Sequence, residues 1–304
     1  MNKIIVVCGA TATGKTKLAN QISNKFDGEL LSCDSRQVYR GFNIGTGKDL
    51  DLINDKTIWG IDLVDSNQDF SVYQYVLYAR EKINDIWKRG HLPVVVGGTG
   101  FYIKALIDGM DTIGIPKNDE LRNKLKNYTS YQLFDYLEKL DPQRANRLNN
   151  SDRNNPFRLI RAIEISSNFK DFEKINNIDA DVLWIGLKAE INTLSNLIEK
   201  RVDDRFIAGM EREVFNLIKN GVLLDSQAFT STGYKLWSKY LNKEIDLNEL
   251  KSKWILQERQ YARRQMTWFN KEKRIKWFGF DDLDLVENTN KYINAWYNHA
   301  NEKE

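Results

Sequence analysis

The chain predicts an α/β fold in which a mostly parallel sheet is flanked by helices and extended by a helical insertion and a helical C-terminal region. Three observations carry this expectation. Strand-like runs at Ile4–Cys8, Glu29–Cys33, Pro93–Val96 and Val182–Leu187 read as parallel strands buried inside a sheet. The first run is followed by a glycine-bounded turn and then by Leu18, Ile22 and Phe26 at helical spacing, the strand, loop and helix order of an α/β unit. From about Asp111 such runs give way to charged, Asn-rich stretches in which residues such as Leu133, Leu137 and Leu140 repeat with a helical period.

The elements follow in order. Ser71 caps a helix whose apolar stripe is Val72, Val76, Ala79, Ile83 and Trp87. The strand Pro93–Val96 runs into Gly97-Gly98-Thr99-Gly100, a turn without side-chain bulk at a strand's carboxyl end. Residues 1–110 are therefore read as the first part of the core, 111–181 as the insertion, and 182–304 as a return to the core followed by helices. Ile191 to about Lys273 reads as helical throughout, Ile275–Phe278 as a final strand, and the polar tail from Asn301 as frayed. The chain has no internal repeat.

Composition bounds the function. The chain has 304 residues, 41% hydrophobic, enough for one large or two modest domains with a sizeable core. Formal net charge is only +3, but basic clusters at Arg259–Arg264 and Lys271–Lys276 can make a local polyanion-binding face or a solvated, salt-bridged one. The two cysteines, Cys8 and Cys33, sit in strand-like runs without metal-ligand spacing, so neither a disulfide framework nor a zinc site is expected. Met1-Asn2-Lys3 leads straight into the first strand, without the length or cleavage pattern of a signal peptide. No apolar stretch approaches the ~20 residues needed to cross a bilayer. A soluble cytoplasmic protein, with no membrane contact, is expected.

The sharpest local signal is the run Gly9, Ala10, Thr11, Ala12, Thr13, Gly14, Lys15 and Thr16 between the first strand and its helix. Such a phosphate-binding loop, a P-loop, turns backbone N–H groups and a helix N-terminus toward a polyphosphate, while Lys15 adds a charge and the Thr16 hydroxyl reaches Mg²⁺. The loop alone leaves open whether a phosphate is cleaved, transferred or released as a leaving group. Asp34 and Thr99 each follow a strand, where α/β sheets open their ligand crevice. Asp34 can accept a proton there or simply cap the turn, and the Thr99 hydroxyl can hold a substrate group or close the glycine turn.

Arg201 and Arg205, four residues apart on a helix, can present two guanidinium groups to a diphosphate or pair with Glu199, Asp203 and Asp204. The stretch Gln257–Phe269 mixes cations, amides and aromatics on one helix. Such a face can contact RNA phosphates, reach base edges and stack on unpaired bases, although Trp268 and Phe269 also suit a core.

Taken together, Gly9–Thr16, Ser32-Cys33-Asp34-Ser35, Tyr39-Arg40-Gly41, Ile44-Gly45-Thr46, Val96–Gly100 with Tyr102, Asp141-Pro142, Arg158–Glu164, Arg201–Arg205, Gly233-Tyr234 and Gln260–Phe269 resemble, in order, the tRNA dimethylallyltransferases. The resemblance spans nearly the whole chain. It implies a P-loop fold that takes dimethylallyl diphosphate with Mg²⁺ as cofactor, and transfers the allyl group to the exocyclic amine of the adenosine 3′ of the anticodon. Diphosphate would be held by Gly9 to Thr16 with Arg201, and the metal by Thr16. Asp34 matches the catalytic aspartate, Thr99 the threonine beside the reacting centre, and Arg205 an arginine acting on the diphosphate.

Contacts to the anticodon stem-loop would come from Asp34, Ser35, Arg36, Gln37, Thr99, Arg122, Phe157, Arg158, Leu159, Ile160, Arg161, Thr230, Gly233, Tyr234, Lys235, Tyr261, Arg263, Arg264, Gln265 and Trp268. Departures from the common pattern are Gly47 and Asp49, where Ala and Pro are frequent, and Leu236 after Gly233-Tyr234-Lys235. A monomer without an obligate protein partner is expected. The alternatives are an adenylate isopentenyltransferase acting on free adenine nucleotides, a P-loop small-molecule kinase, and a non-catalytic RNA-binding module.

Overall fold

The computed structural model describes residues 1–49, 57–168 and 174–301, and the side chains of all of these but 299–301. It divides into two compact units, Met1–Leu106 with Asp179–Glu304, and Ile107–Ile178.

The first unit is built on six strands: β1 Lys3–Gly9, β2 Gly28–Ser32, β3 Ile58–Trp59, β4 Leu92–Gly97, β5 Asp181–Lys188 and β6 Lys276–Gly279. They lie in the order β3-β2-β4-β1-β5-β6, and every adjacent pair is parallel. The mostly parallel α/β sheet expected from the sequence is the observed one. β1 and β4 are buried along nearly their whole length because helices cover both faces, which is why they read as unbroken apolar runs. The core joins Ile5 and Val7 of β1 to Val94, Leu183 and Ile185 of neighbouring strands and to Leu18 and Ile22 of the first helix, α1 Lys15–Lys25.

α2 Val72–Lys88 opens with a capping box in which the Ser71 hydroxyl accepts from the Gln74 N–H, as the sequence signalled. Its stripe is wider than expected: Tyr75 and Ile86 are buried as well, while Trp87 is only partly covered. The chain then runs through β4 into α3 Gly100–Asp108.

Three elements of this unit, β3, α3 and the C-terminal helix, are absent from the sequence reading. β3 is two residues long, too short to show a period. The C-terminal helix, α13 Leu285–Asn301, is rich in Asn and looks polar, yet it packs Ile293 and the partly buried Tyr292, Trp296 and Tyr297 on the sheet core. Tyr297 stacks on Phe26 with ring centroids 6.0 Å apart. Residues 302–304 of the tail lie outside the described residues.

The second unit holds five helices among the described residues: α4 Asp119–Leu125, α5 Ser130–Leu140, α6 Pro142–Arg147, α7 Asn150–Arg153 and α8 Pro156–Asn168. Against the 111–181 expected for the insertion, it runs from Ile107 to Ile178. Leu133 and Leu137 are fully buried with Leu125 and Leu159, whereas Leu140 ends α5 and is exposed, because Asp141 immediately caps α6 through the Arg144 N–H.

Glu164 is the electrostatic centre of this unit. It is fully buried, accepts from Arg122 Nε at 2.6 Å and Nη2 at 2.9 Å, from Arg161 Nη1 at 3.2 Å, and from the Asn118 N–H at 3.0 Å. Burial alone would raise its pKa, but these donors hold it below the usual carboxylate value. Arg161 further donates to the carbonyls of Thr112 and Ile115. The first unit closes with α9 Ile191–Ile207, α10 Met210–Lys219, a short 3₁₀ turn at Ala228–Thr230, α11 Tyr234–Leu241, α12 Leu247–Phe269 and α13. None of the described helices is long and apolar enough to cross a membrane.

Candidate active site

Register brings the site together. β1 pairs Cys8 with Gly97 of β4, and β2 pairs Ser32 with Val96, so the carboxyl ends of three strands stop at one height. The chain continues from these ends into the phosphate loop, into Cys33–Gln37 and into Gly98-Thr99. These loops, with α9 and α12, enclose one cavity of about 390 Å³. Its lining includes Thr11, Ala12, Gly14, Lys15, Thr16, Asp34, Thr99, Arg201 and Arg205, residues drawn from four separated stretches of sequence.

The loop is shaped for an anion. Gly9 takes φ of +138° with its Cα against the Leu187 carbonyl of β5, where a Cβ would collide. Ala12 and Gly14 are left-handed, at φ of +64° and +79°. Gly14 precedes α1 without a side-chain cap, so the first N–H groups of that helix remain for a ligand. Thr13 Oγ1 and Lys15 Nζ both donate to the Ala10 carbonyl, at 2.9 and 2.5 Å, which holds the loop closed behind the cavity.

Lys15 is half-buried. Burial and the neighbouring Arg201 cation lower its pKa to about 8, against smaller opposing effects of Asp34, Cys8 and Asp49. The charged form, which an anion needs, therefore predominates below about pH 8 and is lost as pH rises through that value. A bound anion restores it, so binding above about pH 8 takes up a proton. Titration calorimetry with pyrophosphate in buffers of different ionisation heat should find uptake approaching about one proton near pH 9. The Lys15→Arg variant, charged throughout, should show that much less uptake.

The two arginines of α9 face this cavity and not their own helix. Asp203 pairs with Lys251, Asp204 with Lys200, and Glu199 with Arg259, so the intrahelical pairing left open by the sequence is not adopted. Arg201 Nη1 donates to Thr11 Oγ1 at 2.9 Å and Nη2 lies 3.4 Å from Asp49. Arg205 pairs with buried Glu258 at 2.9 Å, and its buried Nε has no partner among the described residues.

Asp34 Oδ1 accepts the Arg36 N–H at 2.8 Å, capping the turn, and the residue also lines the cavity. Thr99 Oγ1 accepts from the Ser35 N–H at 3.4 Å and is hydrogen-bonded to the Tyr261 hydroxyl, whose pKa burial raises.

α12 is divided in a way its composition did not reveal. Glu258, Tyr261, Arg264 and Gln265 line the cavity, whereas Ala262 and Met266 pack with Ala10, Leu194 and Ile198 behind the phosphate loop. Gln265, expected to contact a base, is instead buried and spent within the chain. Its Oε1 accepts the Thr11 N–H and its Nε2 donates to the Gly98 carbonyl, each at 2.9 Å, tying two cavity loops together. Trp268 is half-buried over Gly100, where a Cβ would strike its ring. Tyr234 is fully buried beneath the Gly45 N–H and the Glu213 carboxylate, and a Cβ at Gly233 would enter Trp254.

The remaining RNA-contact candidates divide by exposure. Arg36 binds the Gln227 carbonyl at 2.7 Å, and Gln37 donates to the Gly47 carbonyl at 2.8 Å, although both line the cavity. Thr230, Lys235, Arg263 and Arg264 are exposed in the first unit. Within the insertion, Phe157 and Arg158 are exposed and Ile160 is partly covered, but Leu159 is core and cannot present its side chain to a ligand. Arg122 and Arg161 are likewise engaged on Glu164. Sequence reasoning missed Asp49, Glu258 and the buried Lys48, whose ammonium binds Tyr39 O, Asn43 Oδ1 and Asp62 Oδ1 at 2.9, 2.8 and 2.5 Å.

Residues 37–272 match the family model described as IPP transferase. A curated relative from Thermoanaerobacter pseudethanolicus, named tRNA dimethylallyltransferase, is 37% identical over 309 aligned residues covering 96% of each chain. The solved tRNA isopentenylpyrophosphate transferase of Bacillus halodurans is 32% identical, covers 100% of this chain and 98% of its own, and superposes with a TM-score of 0.75. A eukaryotic dimethylallyltransferase solved acting on tRNA shares the fold at a TM-score of 0.80 and 24% identity, over 97% of this chain and 80% of its own. A chain whose cavity gathers these residues, and whose sequence matches along nearly its full length, belongs to the IPP transferase family.

Proposed function

We propose that the protein transfers a dimethylallyl group from dimethylallyl diphosphate to the exocyclic amine of the adenosine immediately 3′ of the anticodon in tRNA, releasing diphosphate. That it is a tRNA-prenylating enzyme follows from its family. The observation that carries the donor, the acceptor atom and the residue roles is the convergence of the phosphate loop, Asp34, Thr99, Arg201 and Arg205 on one cavity. The C1–O bond of the allyl donor breaks, the electron pair leaves with the diphosphate oxygen, and the amine nitrogen bonds to C1.

Each chain residue has a part. Lys15, Arg201, Arg205 and the N-terminus of α1 face the charge that grows on the departing oxygen. Asp34 accepts the amine proton. The adenine lone pair is delocalised, so proton removal as the new bond forms makes a poor nucleophile competent. Thr99, held by Tyr261 and the Ser35 N–H, positions the amine. The base has to leave its stack to enter.

Mg²⁺ suits the donor set. This ion takes few protein ligands and keeps waters and phosphate oxygens, and Thr16 and Asp34, which line the same cavity, would offer hard oxygens of that kind. Bound there, it would neutralise charge on the leaving diphosphate.

The test is direct. Protein, Mg²⁺, dimethylallyl diphosphate and unmodified tRNA should yield isopentenyl adenosine by mass spectrometry of the digested RNA. The Lys15→Ala variant should give at least about a hundredfold less. Prenylation of free AMP but not of tRNA would replace this reading with that of an adenylate isopentenyltransferase.

A further inference from the structure

The two arginines that face the diphosphate seat each carry a carboxylate of their own, and the two pairs differ in kind. Arg205 and Glu258 are 8% and 7% exposed at their side chains, a buried pair braced by the Trp254 indole N–H at 3.2 Å from Glu258 Oε1. Arg201 and Asp49 are 27% and 35% exposed and 3.4 Å apart. A partly exposed, stretched pair is weak and exchangeable, whereas a buried one is costly to open.

Asp49 is nevertheless held in place. Glu213 accepts the N–H groups of Asn43 and Ile44 at 3.0 and 2.8 Å, and Gln37 and the Lys48 ammonium fasten Gly47 and Lys48, so the residues leading into Asp49 are tied down. There the backbone is left-handed, at φ of +47° for a residue that is not glycine. The space that lets Arg201 approach exists because position 47 is glycine, since a Cβ there would run into the guanidinium. Burial and the nearby Arg205 cation lower the pKa of Arg201, so the guanidinium gains from any anion beside it.

We propose that Asp49 is a resident carboxylate that competes with diphosphate for Arg201, setting how tightly the cavity grips diphosphate and how readily the product leaves. The inference rests on reading the cavity as the diphosphate seat. Released pyrophosphate carries more charge than the ester it came from, and a site with three cations and a helix N-terminus would hold it strongly. Return of Arg201 to Asp49 loosens that grip at the moment of release, while Arg205 stays with Glu258.

Calorimetric titration of inorganic pyrophosphate with Mg²⁺ tests this on the full chain. Asp49→Asn should bind about two- to fivefold more tightly than wild type, the scale of a partly exposed ion pair. Product inhibition by pyrophosphate should strengthen by the same factor. In an Arg201→Gln background the Asp49→Asn change should have no effect. Unchanged affinity overturns the proposal, as does an effect that survives without Arg201. Weaker binding by Asp49→Asn also overturns it, because Asp49 would then be serving the metal or orienting Arg201. A wild-type chain with no Lys15-dependent affinity for pyrophosphate would instead bring down the reading of the cavity itself.

Discussion

Replacing Asp34 with Asn should slow single-turnover prenylation by about 10²–10⁴-fold while leaving tRNA affinity within about twofold of wild type. Asn is the informative substitution because Asp34 does two things. Its Oδ1 accepts the Arg36 N–H, and Arg36 in turn holds the Gln227 carbonyl, so the carboxylate also shapes the wall of the cavity. An amide oxygen preserves that cap but cannot take a proton. If proton removal is its role, Asn and Ala should be equally slow. If the cap is its role, Asn should keep most of the activity and Ala should lose it together with tRNA binding. Filter binding of unmodified tRNA beside rapid-quench turnover separates the two.

What was legible in the sequence was whatever a short stretch of chain decides for itself. The phosphate loop is one turn between one strand and one helix, and its glycines, Lys15 and Thr16 announce it. Asp34 and Thr99 were placed correctly at strand ends because parallel sheets open there. The α2 cap and its stripe follow from Ser71 and a helical period.

The rest depends on partners far away in the chain. Spacing put Arg201 and Arg205 on one helical face but could not choose between neighbours on that helix and Thr11, Asp49 and Glu258, which lie tens to hundreds of residues distant. The same holds for Gln265, whose partners Thr11 and Gly98 are 254 and 167 residues away, so nothing local distinguishes an amide that knits loops from one that reads bases. Arg122 and Arg161 look like free cations until Glu164 is seen buried between them. The polar surface of α13 hid a helix whose few aromatics suffice to cover the sheet.

Arg205 should produce the other large effect, and on two observables at once. Arg205→Ala removes a cation from the leaving diphosphate and should cut turnover by about 10²–10³-fold. It also strands Glu258, 5% exposed and left with the Trp254 indole as its hydrogen-bond donor among the described residues. Breaking a buried pair from one side costs about 3–5 kcal/mol, so the melting temperature should fall by several degrees. A slow, unstable variant alone would not tell chemistry from collapse, and Arg205→Ala combined with Glu258→Gln does. The neutral amide removes the stranded charge while it can still accept from Trp254, so most of the lost stability should return. Turnover should stay depressed, because no cation has been restored to the cavity. Recovery of activity along with stability in the double variant would make Arg205 a brace for α9 and α12 and leave the diphosphate to Lys15, Arg201 and the helix N-terminus.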